Sequence, residues 1–112
     1  MTDFSEEQCR IIKMKLIKEN QSKLNILCAN HKVKQLFLFG SILNENFNEN
    51  SDVDFLIQFE GVDLVNYFDN YMDFKEKVEL LLNRNIDLVE NQAIKNPIFR
   101  KVVDNQKQLI YG

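Results

Sequence analysis

Two aspartates at alternate positions carry the clearest chemical signal in this sequence. Asp52 and Asp54 begin the run DVDFLIQF, in which apolar side chains recur at every second position. Successive side chains of a β-strand point to opposite faces, so both carboxylates would lie on one face, about 6.5–7 Å apart along the chain. Mg²⁺ takes oxygen ligands, usually one or two carboxylates together with substrate phosphates. The pair therefore predicts a site for a nucleotide and its metal ion.

A Gly-Ser pair lies between this run and an earlier apolar segment. Residues 33–39, VKQLFLF, are too short and too aromatic for a helix and predict a buried strand that ends at Gly40. Glycine permits a sharp turn and the close approach of a ligand, and Ser41 offers a hydroxyl and an N–H group. Residues 41–43 could open a short helix whose N-terminus faces an anion. An ordinary turn is the alternative.

A third aspartate is predicted on the same side of the sheet. Residues 86–90, IDLVE, are expected to form a short strand in which Ile86 and Leu88 face inward, so that Asp87 falls on the opposite face. In residues 52–59, likewise, one face is apolar and the other carries the aspartates. Such alternation is typical of a sheet that helices cover on one side only, which leaves the carboxylate face open to substrate.

The N-terminal segment has the pattern of helices. Ser5 and Gln8 have the spacing of a capping box, and Phe4 and Cys9 are placed as its apolar staple. From there the helical period continues to about residue 30, with an interruption at Asn20, Gln21 and Ser22 that predicts a break between two helices.

Two further helices are predicted downstream. Asp63 is a candidate cap for a long helix that ends at Asn83-Arg84-Asn85, and its apolar stripe is expected to belong to the core. The stripe consists of Leu64, Tyr67, Phe68, Tyr71, Phe74, Val78, Leu81 and Leu82. Asn96 followed by Pro97 predicts the start of a last helix that runs to about residue 105. The apolar tail, residues 109–112, is expected to form a short strand or to pack on a partner.

Length and composition predict one soluble domain. The 112 residues, 45% hydrophobic and 28% charged, are typical of a globular chain. A net charge of −3 gives no general attraction to phosphate backbones, so we expect no direct nucleic-acid partner. With no signal peptide and no run long enough to span a bilayer, we expect a cytoplasmic protein without a membrane partner.

Neither the cysteines nor the histidine suggest chemistry. Cys9 and Cys28 have no C-x-x-C pattern and no histidine at metal-binding spacing, so we interpret both as buried thiols. His31 is the only histidine, and we interpret it as a solvated residue at a helix end rather than as a ligand or a base.

Together these motifs resemble one known family. The spacing G-S-x10-D-x-D at Gly40, Ser41, Asp52 and Asp54, after a strand ending in LFLFG and before IDLVE with Asp87, resembles the minimal nucleotidyltransferases of the DNA polymerase β superfamily. Within that superfamily the chain is similar to the MntA-type antitoxins of HEPN/MNT toxin–antitoxin pairs. The resemblance covers nearly the whole chain and implies a single minimal nucleotidyltransferase domain over residues 1–112. The fold it implies is of the α/β (α+β) class, a small mixed sheet with helices covering one face.

The resemblance also assigns roles to the matching residues. It implies that Gly40 and Ser41 hold the triphosphate of ATP or another nucleoside triphosphate, and that Asp52 and Asp54 bind Mg²⁺. Asp87 would complete the metal site or act as the base for the attacking hydroxyl. Two metal ions about 3.5–4 Å apart would stabilise both the attacking and the leaving oxygen of an in-line displacement.

The function implied by the family is the transfer of AMP from ATP to a tyrosine hydroxyl of a partner HEPN toxin, which silences the toxin's RNase activity. One alternative is an antitoxin that is weakly active or inactive and neutralises its partner by binding. A second is transfer to a small molecule, as in aminoglycoside nucleotidyltransferases, but those enzymes usually carry an additional helical domain for the acceptor.

One departure from the family pattern concerns positive charge. Family members commonly carry an arginine shortly after the Gly-Ser pair, whereas residues 42–50 of this chain contain no arginine and include Glu45 and Glu49. The missing charge has three candidate sources in the C-terminal segment, Lys95, Arg100 and Lys101. The partner protein is a further source, and weak or lost catalysis is the remaining explanation.

Overall fold

A four-stranded mixed sheet forms the centre of the fold. The computed structural model describes residues 14–43, 47–48 and 50–112. The strands are β1 (Val33–Phe39), β2 (Val53–Phe59), β3 (Ile86–Glu90) and β4 (Gln108–Tyr111). Their order in the sheet is β3-β2-β1-β4, with β1 antiparallel to both β2 and β4 and β2 parallel to β3. The predicted mixed sheet is confirmed, and the apolar tail closes it as β4.

The described residues form three α-helices beside the sheet: α1 (Gln21–Asn30), α2 (Leu64–Leu82) and α3 (Pro97–Gln106). A π-helical turn at Met14–Lys18 precedes α1, so the predicted break between two helical pieces is present, just before Gln21. Two single 3₁₀ turns follow strands, at Gly40–Leu43 and Asn91–Ala93. The capping box predicted at Ser5 and Gln8, with Phe4 and Cys9, lies outside the described residues.

The main hydrophobic core lies between one face of the sheet and helices α1 and α2. It contains Leu24 and Cys28 of α1, Leu36 and Leu38 of β1, Val53, Phe55 and Ile57 of β2, Phe74, Val78 and Leu82 of α2, and Ile86 and Leu88 of β3. The alternation expected for the strands therefore places their apolar side chains as predicted. Cys28 is fully buried, as predicted, and burial raises the pKa of its thiol to about 12.

The opposite face of the sheet is only partly covered. A small cluster of Phe39, Leu56 and Val103 brings α3 onto this face, close to β1. The expected pair of helices covers one face, as the fold class predicts, and α3 adds a limited contact on the other. The part of β2 and β3 that carries the aspartates remains accessible beside this contact.

Helix ends follow the local sequence with one exception. The side chain of Asn96 accepts hydrogen bonds from the backbone N–H groups of Ile98 at 2.9 Å and Phe99 at 3.1 Å, and Pro97 occupies the first helical turn. Asp63 occupies the cap position of α2, but its side chain makes no capping hydrogen bond. Asn83 ends α2 in the left-handed conformation, with φ 54°.

The aromatic stripe of α2 was predicted as core, and this was wrong for Leu64 and Phe68, which are 93% and 70% exposed. From Phe74 onward the side chains of the stripe are buried, except that of Leu81, which is partly buried against the core. None of the helices in the part of the chain that the structure describes is long and apolar enough to cross a membrane.

His31 lies at the end of α1, as predicted, but it is buried rather than solvated, so that part of the prediction was wrong. Its Nδ1 lies 2.7 Å from the carbonyl oxygen of Leu27, and its Nε2 lies 2.6 Å from Oδ2 of Asp73 on α2. His31 thus ties α1 to α2.

We predict that Phe74→Ala lowers the free energy of unfolding by about 3–5 kcal/mol, because it leaves a cavity under fully packed neighbours. The ring contacts His31 and Phe59 at centroid distances of 5.4 and 6.2 Å. Phe68→Ala, on the same helix, is the matched control and should cost less than about 0.5 kcal/mol. Urea denaturation measures both variants, and similar losses would contradict this account of the core.

The Asp73 contacts predict an acid dependence of stability. Hydrogen bonds from Lys77 and His31 hold the pKa of the Asp73 carboxyl below its usual range. A lowered folded-state pKa adds stability above the unfolded pKa of about 3.9, and that contribution is lost as the pH falls through the folded-state pKa. Asp73→Asn should therefore reduce stability at pH 6 and flatten its decline below about pH 4. Thermal unfolding from pH 2 to 7 tests this, with the exposed Asp69→Asn of the same helix as control.

Candidate active site

Asp54 and Asp87 are neighbours on adjacent parallel strands. The register of β2 and β3 pairs Asp54 directly with Asp87, so the two side chains leave the same face of the sheet. Adjacent strands lie about 4.8 Å apart, which brings the two carboxylates within reach of one ligand. Asp54 is half-buried and Asp87 is exposed, so the pair opens to solvent on the Asp87 side.

The turn after β1 lies against the Asp54 carboxylate. Phe39, the last residue of β1, is the register partner of Asp54, and Gly40 follows with φ +76°. A Cβ atom at residue 40 would overlap Oδ2 of Asp54 and lie 3.1 Å from its carboxyl carbon. Only glycine fits here, since it tolerates the positive φ and leaves room for the carboxylate. The backbone of the Gly-Ser turn and the Asp54–Asp87 pair therefore meet at one place.

A buried side chain holds this turn in position. Residues 40–43 form a single 3₁₀ turn, where the sequence suggested a short helix, and Ile42 is fully buried in the main core. Leu43 packs against both hydrophobic clusters. The side chain of Ser41 lies outside the described part of the chain, so its predicted contact with phosphate remains a prediction.

Asp52 is placed differently from the other two aspartates. It is exposed, one residue before β2 begins, and it lines a hollow of about 670 Å³ together with Glu76 and Glu79 of α2 and Arg84. Among the described residues, no three His, Cys, Asp or Glu side chains are grouped closely enough to hold a metal ion. The structure thus brings Asp54 and Asp87 together and places Asp52 at the edge of the site.

Two carboxylates, as in the Asp54–Asp87 pair, are enough protein ligands for an Mg²⁺ ion that is also bound by a nucleotide. Both donors are carboxylate oxygens, the ligand type that hard cations prefer. Mg²⁺ keeps several waters and is commonly bound by one or two carboxylates plus the phosphates of its nucleotide. Two adjacent carboxylates beside an open glycine turn therefore fit a metal ion that arrives with a triphosphate.

The loop before Asp52 depends on an arginine that the sequence-based prediction overlooked. Arg84 donates from Nη1 to the carbonyl oxygens of Asn48 at 3.1 Å and Ser51 at 2.7 Å. Its guanidinium carbon lies 4.9 Å from the centre of the Phe47 ring, which is 2% exposed. In the sequence, the single phenylalanine of this polar loop is the signal of an anchored loop.

Of the three cations considered for the missing positive charge, Arg100 is already engaged. It donates to Oδ1 of Asn91 at 2.7 Å, to the backbone carbonyl oxygen of Asn91, and to Oδ1 of Asp104 at 3.4 Å. Lys95 and Lys101 are exposed. The two lysines therefore remain the candidates from this segment.

Two tyrosines of α2 donate hydrogen bonds to β3 from the face of the sheet that α2 covers. The hydroxyl of Tyr67 donates to Oε2 of Glu90 at 2.6 Å, and that of Tyr71 donates to the carbonyl oxygen of Leu88. Burial, followed by the hydrogen bond and charge of Glu90, raises the pKa of Tyr67 to about 12. Burial, followed by the charges of Glu90 and Asp87, also raises the pKa of Tyr71. Both phenols are therefore neutral at physiological pH.

Residues 21–112 match the model of the family described as polymerase beta, nucleotidyltransferase. This chain belongs to the polymerase β nucleotidyltransferase family. The matched segment starts at the first residue of α1 and includes Gly40, Asp52, Asp54 and Asp87, so the residues that carried the resemblance lie inside it.

Relatives of this chain carry the names of protein adenylyltransferases. A Methanocaldococcus jannaschii protein named "Putative protein adenylyltransferase" is 35% identical over 88 residues, which cover 77% of this chain and 83% of that protein. Protein adenylyltransferase MntA of Thermococcus cleftensis is 30% identical over 79 residues, which cover 70% of this chain and 74% of that protein. The predicted resemblance to MntA-type members of the family is confirmed.

Solved structures confirm the nucleotidyltransferase fold. A protein described as a "putative minimal nucleotidyltransferase" matches with a TM-score of 0.68 and 26% identity, covering 85% of this chain and 93% of that chain. A chain in the complex of a tri-AMPylated Shewanella oneidensis HEPN toxin with its MNT antitoxin matches with a TM-score of 0.56 and 20% identity, covering 85% and 71%.

The contact between residue 40 and Asp54 predicts different costs for two glycine substitutions. Gly61 has nearly the same φ, +77°, but a Cβ there would meet nothing within 4 Å. We expect Gly61→Ala to cost about 1–2 kcal/mol for the positive φ alone. Gly40→Ala should cost a further 1–3 kcal/mol or so, because the new methyl group displaces the Asp54 carboxylate. Urea denaturation compares them, and equal losses would mean that Asp54 does not lie against residue 40.

Proposed function

We propose that this chain is an Mg²⁺-dependent protein adenylyltransferase that transfers AMP from ATP to a tyrosine hydroxyl of a partner HEPN toxin and so acts as its antitoxin. The observation that carries this proposal is the register of Asp54 beside Asp87 at the Gly40 turn, in a chain of the nucleotidyltransferase family. Such a pair, open on one side, is suited to a nucleotide with its metal ion.

The comparisons support the choice of nucleotide and acceptor. Two relatives that share most of their length with this chain are named protein adenylyltransferases. A chain of similar fold belongs to a complex in which a HEPN toxin is tri-AMPylated. AMP is therefore the group, and a HEPN toxin the partner, that best suit this site.

Each site residue has a proposed role. The Gly40–Ser41 turn positions the triphosphate, Asp54 binds the metal with Asp52 as a further carboxylate at the edge of the site, and Asp87 completes the metal site or accepts the proton of the attacking hydroxyl. Mg²⁺, of which the family resemblance implies two ions, would supply Lewis acidity and neutralise charge on the phosphates when bound. Phosphoryl-type transfer needs mainly positioning and charge neutralisation, which these residues can provide without a nucleophile of their own.

The proposed transfer needs only ATP and the acceptor tyrosine as reactants. The phenol oxygen of the acceptor tyrosine forms a bond to the α-phosphorus of ATP, and the bond between that phosphorus and the α–β bridging oxygen breaks. Pyrophosphate leaves with the bonding electrons. A carboxylate accepts the phenol proton, and Asp87, exposed at the open side of the pair, is the candidate.

A second candidate function is neutralisation by binding alone. It is favoured by the absence of arginine from residues 42–50 and by the engagement of Arg100 with Asn91 and Asp104. Without a cation at the phosphates, turnover would be weak even if the fold and the partner were retained.

Mass spectrometry of the partner tests the enzymatic function. Incubation with ATP and Mg²⁺ should add one or more AMP groups to the toxin. Asp52→Asn/Asp54→Asn, and separately Asp87→Asn, should slow this transfer by a factor of about 10² or more, as expected when groups that stabilise transition-state charge are removed. Asp69→Asn, an exposed change on α2, should leave the rate unaltered. A toxin of unchanged mass, or transfer that survives the double substitution, would contradict the proposal.

Toxin rescue in cells separates the two candidate functions. If neutralisation requires AMP transfer, cells that express the toxin should survive with the wild-type chain and die with Asp52→Asn/Asp54→Asn. Survival with both chains at equal expression would favour neutralisation by contact. A pull-down of the toxin with each chain provides the control that binding itself is retained.

A further inference from the structure

The loop that precedes Asp52 is held in place by one arginine. Arg84 comes from the segment between α2 and β3, more than thirty residues away in the sequence. Its Nη1 bridges the carbonyl oxygens of Asn48 and Ser51, at 3.1 and 2.7 Å. Ser51 is the residue immediately before Asp52, so the second of these bonds lies at the entrance to the site.

The loop has a closed structure of its own that the arginine completes. The N–H of Ser51 donates to the carbonyl oxygen of Asn48 at 3.1 Å, and the N–H of Asn48 donates to Oγ of Ser51 at 3.1 Å. The N–H of Asn50 donates to Oδ1 of Asn48 at 2.8 Å. The carbonyl oxygen of Asn48 therefore accepts from both Ser51 and Arg84, and the guanidinium joins the two ends of the turn.

The loop is also fixed from below. Phe47 is buried in the main core, and the Arg84 guanidinium lies over its ring. A planar guanidinium can stack on an aromatic ring and donate hydrogen bonds at the same time, whereas a lysine ammonium is a compact charge that cannot do both in this geometry. This arrangement is therefore specific to arginine.

The segment that carries Arg84 also holds the start of β2, while α2 holds the start of β3. The carbonyl oxygen of Asn85 accepts from the N–H of Val53 at 3.2 Å, and Oε2 of Glu79 accepts from the N–H of Ile86 at 3.1 Å. Val53 and Ile86 form the first register pair of β2 and β3, directly before the Asp54–Asp87 pair. The same short segment thus contacts the loop, β2 and the end of α2.

We propose that Arg84 is a positioning residue for the active site: by holding Phe47, Asn48 and Ser51 against the segment between α2 and β3, it fixes where Asp52 lies relative to Asp54 and Asp87. It acts through the backbone of the loop. The catalytic role of Arg84 rests on the proposed function, whereas its effect on the order of the loop can be measured independently of that function. Substitutions of residues that orient metal ligands typically cost 10–100-fold in metal affinity or activity.

The first test is hydrogen exchange of the full-length chain without nucleotide or partner. Arg84→Lys keeps the charge, and Arg84→Met keeps the length of the side chain without its donors. In both variants the amides of residues 50–53 should exchange at least about tenfold faster, while those of α1 and the centre of α2 keep their wild-type rates. Arg100→Lys is the matched control, since that arginine also donates to a backbone carbonyl, and it should leave residues 50–53 unchanged.

The second test measures metal binding rather than turnover. Mn²⁺, titrated with a non-hydrolysable ATP analogue and followed by electron paramagnetic resonance, should bind about 10–100-fold more weakly to both Arg84 variants than to the wild type and Arg100→Lys. Unchanged exchange at residues 50–53 would overturn the inference. So would a uniform rise in exchange across the protein, which would show a general structural role. Absence of AMP transfer in the wild type with localised loosening in Arg84→Lys would refute the proposed function while leaving the positioning role of Arg84 supported.

Discussion

Parallel pairing of β2 with β3 sets two carboxylates side by side, at Asp54 and Asp87. Like charges at neighbouring positions on adjacent strands destabilise a sheet, so the pairing is held by the residues on its other face. Val53 and Phe55 of β2 and Leu88 of β3 are buried against α2 there. Packing in the core therefore keeps the two carboxylates side by side, although their mutual repulsion would separate them. A cation bound there, as proposed, would relieve this repulsion and so link occupancy of the site to the stability of the sheet.

The parts of the fold that depend on local patterns could be predicted from the sequence. β1 and β3 have the predicted ends, and Asn96 and Pro97 start α3 as their types require. The side-chain parity of two strands was enough to place Asp87 on the same face as Asp54, because a period of two leaves only one choice of face once the core is known. The turn at Gly40 could also be predicted locally, because few residue types other than glycine permit such a turn.

The parts that could not be predicted depend on partners distant in the sequence. Asp73, 42 residues beyond His31, makes that histidine a buried link between two helices. Arg84 gives structure to a polar loop that has no turn glycine or proline. Asp52 shares the strand parity of Asp54 but lies outside the strand, because pairing of β2 begins at Val53 with the neighbouring Asn85 carbonyl. The placement of each of these residues depends on tertiary contacts, which the periodicity of the sequence does not reveal.

The hydrogen bonds of Tyr67 and Tyr71 have a consequence for an enzyme that modifies phenols. An adenylyltransferase that acts on tyrosine must avoid labelling its own chain, where the local concentration of acceptor is always high. Here both hydroxyl groups donate to β3, and burial makes each phenol harder to ionise. Under the proposed function, the contacts that fasten α2 to the sheet would also keep these two tyrosines from competing with the acceptor tyrosine of the partner.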